Sequence, residues 1–473
     1  MKSNNVAIVG LGFGDEGKGQ FLNYLASKEE NHIFIKRTGG CQGKHTVMLE
    51  NGFFSFAQLS PGIVKEDSMC ILDKGFVFEP FALILEIDAL SKHTRMGHKY
   101  YYKKIVIDKG CICVTPIHKF LNVADEEKNH YRGSVGTGVS ICGLYSTDSD
   151  IVVYAGDLLN PFDLEQKLKK QKEFFVGEAK RLGLESKEIE NFDIADYIDG
   201  IGSIITYGAL NIQDVSKLKN SFSGLNIVYE TSQGVLIDRD IGIKPNITFL
   251  NVNPSKKTID GDFEKIGILR SIYSRHGQGI FPTEDDYLNK NFHDNNQEVG
   301  KYRGSIRFGW FDLVLLKYAI KQTEVDSMFM SCLDYLKELR CIKVCTGYRY
   351  MGYMANPIVE EKAKEIVSAV NRVCPEQKEI SVKKNDFKDI FEYHTEDDGG
   401  VIITGIKCND DMLKHYLECC VPIYDTIYFA DRTYEERVEM YLSYIENAVG
   451  KKFKWYSDGV ELEHIHERMG SDE

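Results

Sequence analysis

Long apolar runs are missing from this 473-residue chain. None approaches the ~18 residues that a membrane-crossing helix needs. The N-terminal stretch "MKSNNVAIVGLGFGDEG" breaks into glycines and acids too soon for a signal peptide, so a cytoplasmic location is expected. An excess of positive charge is also lacking. With 58 Lys and Arg against 71 Asp and Glu, the formal charge is −13. That balance excludes extended nucleic-acid binding, which needs a dense basic surface to displace counterions, but it leaves room for a local anion pocket. No two of the 12 cysteines are spaced Cys-x-x-Cys, and they read as reduced, small buried hydrophobes rather than a disulfide framework. No internal repeat of ~20 to 50 residues stands out.

What remains is an ordinary globular composition, 43% apolar and 27% charged. Short β-branched runs alternate with longer amphipathic ones: "VAIVG", "HIFIKR", "MCILD", "KIVIDKGCICV", "IVVYAG", "LNIVYE", "SMFMSCL", "IKVCTGY" and "DTIYFA". That alternation predicts an α/β protein with parallel strands joined by helices. Helices are expected at 18–28, 79–92, 160–182, 310–322, 357–373 and 432–449. The architecture expected is one large α/β domain over 1–473, its mostly parallel central sheet flanked by helices, with a helical insertion at 158–222 and a C-terminal segment at 451–473. The charged run "EQKLKKQKEFFVGEAKRLGLESKEIENFDIADYI" within that insertion reads as exposed helix.

Two glycine patterns overlap in "NVAIVGLGFGDEGKGQFLNYLA". Gly12, Gly14 and Gly17 fit a dinucleotide loop, whereas Gly12, Gly17 and Lys18 fit a phosphate loop. A dinucleotide site wants an acid at the end of the second strand; here Lys36 and Arg37 stand there, and the NAD-dependent-enzyme reading loses its second leg. In the phosphate-loop reading, backbone amides and a helix N-terminus surround phosphate oxygens and Lys18 adds a point charge. The usual Ser or Thr for magnesium is replaced by Gly19, while Asp15 lies inside the loop, where a carboxylate could hold magnesium or take a proton beside the phosphates. One βαβ step later "RTGGCQGKHTV" offers a second glycine turn with His45, a candidate for stabilising a phosphoryl group in transit.

"GFGDEGKGQ" and "GGCQGKHTV" together resemble the adenylosuccinate synthetase family, with its G-D-E-G-K-G and G-G-x-N-A-G-H-T. "YETSQGVLIDRDIG", "RHGQGIFPTE", "GWFDLVLLKYA" and "CLDYLKELRCIKVCTGY" are similar to its E-G-A-Q-G-x-L-L-D-x-D-x-G, R-V-G-x-G-P-F-P-T-E, G-W-L-D-L-V-x-L-R-Y-A and K-L-D-V-L-x-x-x-x-x-I-K-I-C-T-A-Y. The resemblance implies a phosphate-loop-like fold, a homodimer and a two-step ligation. The γ-phosphoryl of GTP moves to the 6-oxygen of IMP, then the amine of L-aspartate displaces it. It assigns catalysis to Asp15, His45 and Gln233, and the magnesium site to Asp15 and Lys44. Nucleotide binding falls to Gly14, Glu16, Gly17, Lys18, Gly19, Thr46 and Asp334, the last a carboxylate acceptor suited to guanine. Monophosphate and aspartate binding fall to Gln42, Ser134, Thr248, Arg303 and Arg307.

The chain departs from the family where substrates are held. The loop G-T-T-x-R-G-I-G-P-A-Y appears as "GSVGTGVSICGLY", one residue shorter, with Ser134 and Val135 at the threonines and no arginine. The arginine that a partner subunit lends to the IMP phosphate falls near Asp150, where none is present. The aspartate loop T-G-R-P-R-R-C-G-W reads "YRGSIRFGW": Arg307 matches one arginine, while Gly304 and Ile306 occupy the places of two others. Cys332 replaces a lysine, and Gln42 and Lys44 replace Asn and Gly. A divergent member is therefore expected, with Arg270 a further local substitute beside Arg303 and Arg307. Two alternatives stay open: the same chemistry on another purine monophosphate such as dGMP with ATP or GTP, or a nucleotide sensor that no longer ligates. An NAD-dependent enzyme stands as a third class beside the ligase and the sensor, opposed by Lys36 and Arg37.

Overall fold

Apolar runs of four or five residues, each followed by a loop and an amphipathic run, build strands that pair with strands distant in sequence. The computed structural model describes residues 5–28, 32–129, 133–222, 224–254, 262–293, 301–302, 304–352 and 386–468. β1 (Val6–Gly10) and β2 (His32–Lys36) belong to a ten-stranded sheet. Its order is Ile465–Glu467, Phe453–Ser457, Ser327–Ser331, Glu264–Arg270, β1, Asn226–Gly234, β2, Met69–Leu72, Ile105–Asp108, Ile212–Gln213. All neighbours are parallel except the first two.

β2, Ser327–Ser331 and Ile105–Asp108 are buried at every position, as strands covered on both faces must be. α1 (Lys18–Lys28) covers one face, packing Phe21, Leu22, Tyr24 and Ala26 against Ile8, Phe34, Val228, Ile266 and Phe329. The alternate residues Ala7, Ile33, Ile35 and Tyr229 pack on the other face with Val215. No described helix is long and apolar enough to cross a membrane, and all eleven described cysteines are free thiols.

Five expected helices form, at Lys18–Lys28, Pro80–Thr94, Pro161–Leu182, Leu313–Thr323 and Tyr434–Val449; the one at 357–373 lies outside the described residues. Within 158–222 the helices Pro161–Leu182, Lys187–Glu190 and Ile194–Thr206 precede Ile212–Gln213, the last strand of the large sheet. The segment from 451 supplies two strands at its opposite edge.

Two strand expectations need correction. "IVVYAG" makes only an isolated bridge, Tyr154 to Ile112, before a 3-10 turn at Ala155–Leu159. "IKVCTGY" and "DTIYFA" lie in Cys341–Tyr350 and Cys420–Tyr428, which pair antiparallel in a second, five-stranded sheet with Phe311–Asp312, Phe391–Thr395 and Val401–Ile406. Cys420–Tyr428 has no fully buried position, and an antiparallel strand tolerates that exposure where a parallel one does not.

One polar pair sits inside the large sheet. Glu230 and Lys36 are register partners on neighbouring strands, with side chains 0% and 1% exposed and 3.0 Å apart. Lys36 also donates to the Ala57 and Leu59 carbonyls. Burial pushes the Glu230 carboxyl up, but Lys36 and then His45 overcome it and hold the group at about 2, below its ordinary 4.5. Its ionised form therefore contributes stability above pH 4.5 that is lost as pH falls toward 2. Glu230→Gln leaves a buried ammonium without its counter-charge and is expected to destabilise the fold by about 3–5 kcal/mol in denaturant titration. Pairing it with Lys36→Met is expected to restore most of that loss.

Candidate active site

Loops leave the carboxyl ends of five adjacent parallel strands on one side of the sheet, where open α/β sheets bind ligands. In the loop after β1, Gly14 and Gly17 have φ of 104° and 89°, and Asp15 between them has φ 60°. Glu16 turns its side chain into this loop. Its Oε1 accepts from Gly12 N at 3.1 Å and Gly14 N at 2.7 Å, and its Oε2 lies 2.5 Å from Lys18 Nζ. A side chain at Gly10 or Gly234 would run into that carboxylate, which is why both are glycine. Glu16, expected among the nucleotide ligands, thus braces the loop and positions Lys18 at the start of α1.

His45 opens β3 (His45–Leu49), which turns back through β4 (Gly52–Phe56) as an antiparallel hairpin. Its Nδ1 lies 2.7 Å from Glu230 Oε1, leaving Nε2 as the ring nitrogen not engaged by that carboxylate. Burial lowers the imidazole pKa despite the Glu230 charge, so the resting ring is neutral. α1 passes so close that a Cβ at Gly19 would lie 3.0 Å from His45 Cβ and 3.2 Å from its Cα. That approach disfavours the Ser or Thr of an ordinary phosphate loop, since His45 would have to give way. Gly39, with φ 82°, packs as tightly on Ser232.

A cavity of about 1480 Å³ joins these loops, larger than the ~300–1,000 Å³ that one small ligand fills. Its wall includes Gly14, Asp15, Glu16, Gly17, Lys18 and Gly19 from the first loop, and Gln42, Lys44, His45 and Thr46 from the second. Ser134, Gln233, Thr248, Arg270 and Asp334 complete the expected set. Ser134 is held by Asn122 Nδ2 at 3.0 Å and by Glu126, which accepts its amide. Gln233 has φ 67° and a buried Oε1 without a hydrogen-bond partner, as has Gln42. Asp15, Gln233 and Cys332 are three of the six non-glycine residues with positive φ among the described residues, and all three line this cavity. Such backbone strain concentrates at functional sites. Burial raises the Asp334 carboxyl pKa, and Gly459 and Val460 also line the cavity.

Over residues 7–394 the chain matches the family described as adenylosuccinate synthetase. It belongs to that family. The adenylosuccinate synthetase of Thermoplasma volcanium is 30% identical over 388 residues, covering 79% of this chain and 84% of the relative. That of Desulforamulus reducens is 28% identical over 368 residues, covering 74% and 82%. The fully ligated enzyme from Plasmodium falciparum superposes with a TM-score of 0.76 at 18% identity, covering 98% of this chain and all of that one. Cyanophage S-2L succinoaminodeoxyadenylate synthetase, solved with dGMP and with dATP as an energy donor, gives 0.53 at 12%, covering 98% and 95%. As an adenylosuccinate synthetase family member the chain is a carbon–nitrogen ligase of purine nucleotide biosynthesis.

Arg307, expected to bind substrate, is not on the cavity wall. It lies 2.6 Å from Glu284 and donates to the Gly279 carbonyl, so its two terminal nitrogens are engaged within the protein. Arg303 lies outside the described residues. Arg270 does reach the wall, donating to Tyr335 Oη at 2.7 Å and to the Asp15 carbonyl at 3.4 Å. Arg275 also lines it, over the face of Phe13 and donating to the Ile280 and Asn246 carbonyls; burial, then neighbouring Arg307, push its pKa down to about 9. Sequence reading missed Glu230 and His276. Glu230 had a signal, an acid ending the apolar run "NIVYE", its register partner being the lysine that ends "HIFIK" on the neighbouring strand. His276, whose Nε2 is 2.8 Å from Asp15 Oδ2, had none beyond its place in "RHGQG". The donor set suits magnesium bound chiefly by phosphate: Asp15 is 39% exposed in the cavity, Lys44 has only its backbone carbonyl to offer, and the described residues contain no group of three His, Cys, Asp or Glu that could cage a metal.

Gly19→Thr is expected to lower stability by about 1–3 kcal/mol through overpacking against His45, with a larger fall in turnover because the imidazole shifts. Thermal unfolding and steady-state rates of the same preparation check both.

Proposed function

We propose that this enzyme joins L-aspartate to the 6-position of a 6-oxopurine monophosphate, IMP, at the expense of GTP, acting as a homodimer. One observation carries the reading: Asp15, Lys18, His45 and Gln233 stand on a single cavity at the carboxyl ends of adjacent parallel strands. A carbonyl oxygen is a poor leaving group, and phosphorylation makes it a good one when both substrates are held in line away from water. Asp15 takes the purine N1 proton, and O6 bonds to the γ-phosphorus as the bond to the β-phosphate oxygen breaks. The amine then bonds to C6 as the C6–O bond to phosphate breaks. Magnesium, when bound at Asp15 and the Lys44 carbonyl, would neutralise phosphate charge.

Lys18 meets the phosphates with a charge oriented by Glu16. His45 rests neutral, and arriving phosphate charge favours its second proton, with Glu230 stabilising the imidazolium from Nδ1 in the way a buried carboxylate supports a catalytic histidine. Gln233, Gln42 and Thr248 face the purine nucleotide. Asp334 accepts the guanine N–H groups, a task that a carboxylate performs and adenine does not reward.

Incubation with magnesium, GTP or ATP, IMP or dGMP, and aspartate tests the reading through phosphate release and the absorbance change at the purine. Release only with all three substrates is expected; nucleotide binding without turnover would sink it. Asp15→Asn and His45→Asn are expected to fold normally, by circular dichroism, and to lower turnover by several orders of magnitude. Asp334→Asn is expected to loosen the preference for GTP over ATP while catalysis persists. Equal selectivity before and after would place base reading elsewhere.

A further inference from the structure

The strand Tyr273–His276 pairs antiparallel with Ile306–Gly309, setting His276 directly opposite Ile306 and Arg275 opposite Arg307. Opposed residues on one face have Cβ atoms ~4.5–5.5 Å apart, so the first pair of positions serves nearly the same point in space. At these two positions the motifs R-V-G-x-G and T-G-R-P-R-R-C-G-W carry valine and arginine; this chain carries histidine and isoleucine. The donor has crossed the ladder. Ile306 is 8% exposed and is not part of the cavity wall, whereas His276 is, next to Gly277 and Gln278.

The imidazole is already shown to engage a carboxylate there, since its Nε2 lies 2.8 Å from Asp15 Oδ2. The two arginines on the same ribbon turn their terminal nitrogens elsewhere, Arg307 to Glu284 and the Gly279 carbonyl, and Arg275 to the Ile280 and Asn246 carbonyls.

We propose that His276 is the residue that selects the amino-acid co-substrate, donating a hydrogen bond from its ring to one carboxylate of a dicarboxylic amino acid in place of the arginine absent at position 306. The inference rests on the ligase reading above. The Asp15 carboxylate occupies the place that the amino acid's carboxylate takes when Asp15 turns to the purine. One imidazole N–H reaches one oxygen, so this contact is monodentate where an arginine fork is bidentate.

L-Aspartate is titrated calorimetrically into the wild type, His276→Val and His276→Val/Ile306→Arg, and its KM is measured with IMP, GTP and magnesium. His276→Val is expected to raise the aspartate Kd and KM about ten- to hundredfold, the loss of one charge-assisted hydrogen bond, with the nucleotide KM values little changed. Adding Ile306→Arg is expected to recover most of the affinity, which a purely structural defect would not allow. His276→Leu serves if the valine variant does not fold. Unchanged aspartate affinity in the single variants, or a loss that the arginine fails to recover, overturns the proposal. Aspartate binding that depends on His276 in a protein that releases no phosphate would defeat the ligase reading and leave this inference standing.

Discussion

Glu230 is a fully buried carboxylate on a central strand, and the reaction face of the sheet is organised around its charge. An isolated ionised carboxylate in such a place would be prohibitively costly, so its oxygen is approached by Lys36 on the neighbouring strand at 3.0 Å and by His45 on the second loop at 2.7 Å. Each partner belongs to a different segment. The acid therefore ties the register of two central strands to the placement of the imidazole. A net attraction of this kind adds little stability over an apolar replacement; what it provides is orientation, because Nδ1 facing Glu230 determines which ring nitrogen remains for a substrate.

Close packing is the second constraint. Gly10, Gly234 and Gly19 are glycines because Glu16 and His45 already fill the space a Cβ would need. Strain accumulates beside them, with Asp15, Gln233 and Cys332 held at positive φ at about 1–3 kcal/mol each. The buried sheet below, with its apolar strands, supplies the stability that tolerates this.

Much of this was legible in the chain. β1, β2, α1 and both glycine turns were evident because period and turn chemistry are local signals, and the place of Asp15 and His45 on one cavity wall followed from one βαβ step. The second sheet was misread as parallel, since "IKVCTGY" and "DTIYFA" look like buried strands until their exposed face is seen. The Lys36–Glu230 pair was half visible: Lys36 was noticed only as the wrong residue for a ribose, while the acid that explains it lies nearly two hundred positions away. The Arg307–Glu284 contact was hidden for a related reason, as sequence shows that a guanidinium exists but not which acid stands beside it. His276 carried only one signal, its departure from the valine of R-V-G-x-G, whose meaning depends on the residue across the ladder.

The retained and rewritten halves of the family pattern divide along the same physical line. The retained glycines of the two turns sit in close contacts, Gly19 of α1 against His45 and Gly39 against the Ser232 side chain, so a substitution there disturbs the packing around the first turns after β1 and β2. Other parts of the cavity wall come from segments outside the large sheet: the turn at 133–138, the two-stranded ribbon of Tyr273–His276 with Ile306–Gly309, and the 3-10 turn Leu333–Lys337. A side chain there can be exchanged for one across a ladder without moving a central strand. The residues proposed for phosphoryl transfer are thus held by the constraints that make the fold, and those proposed to choose the substrate stand where exchange leaves the central strands in place.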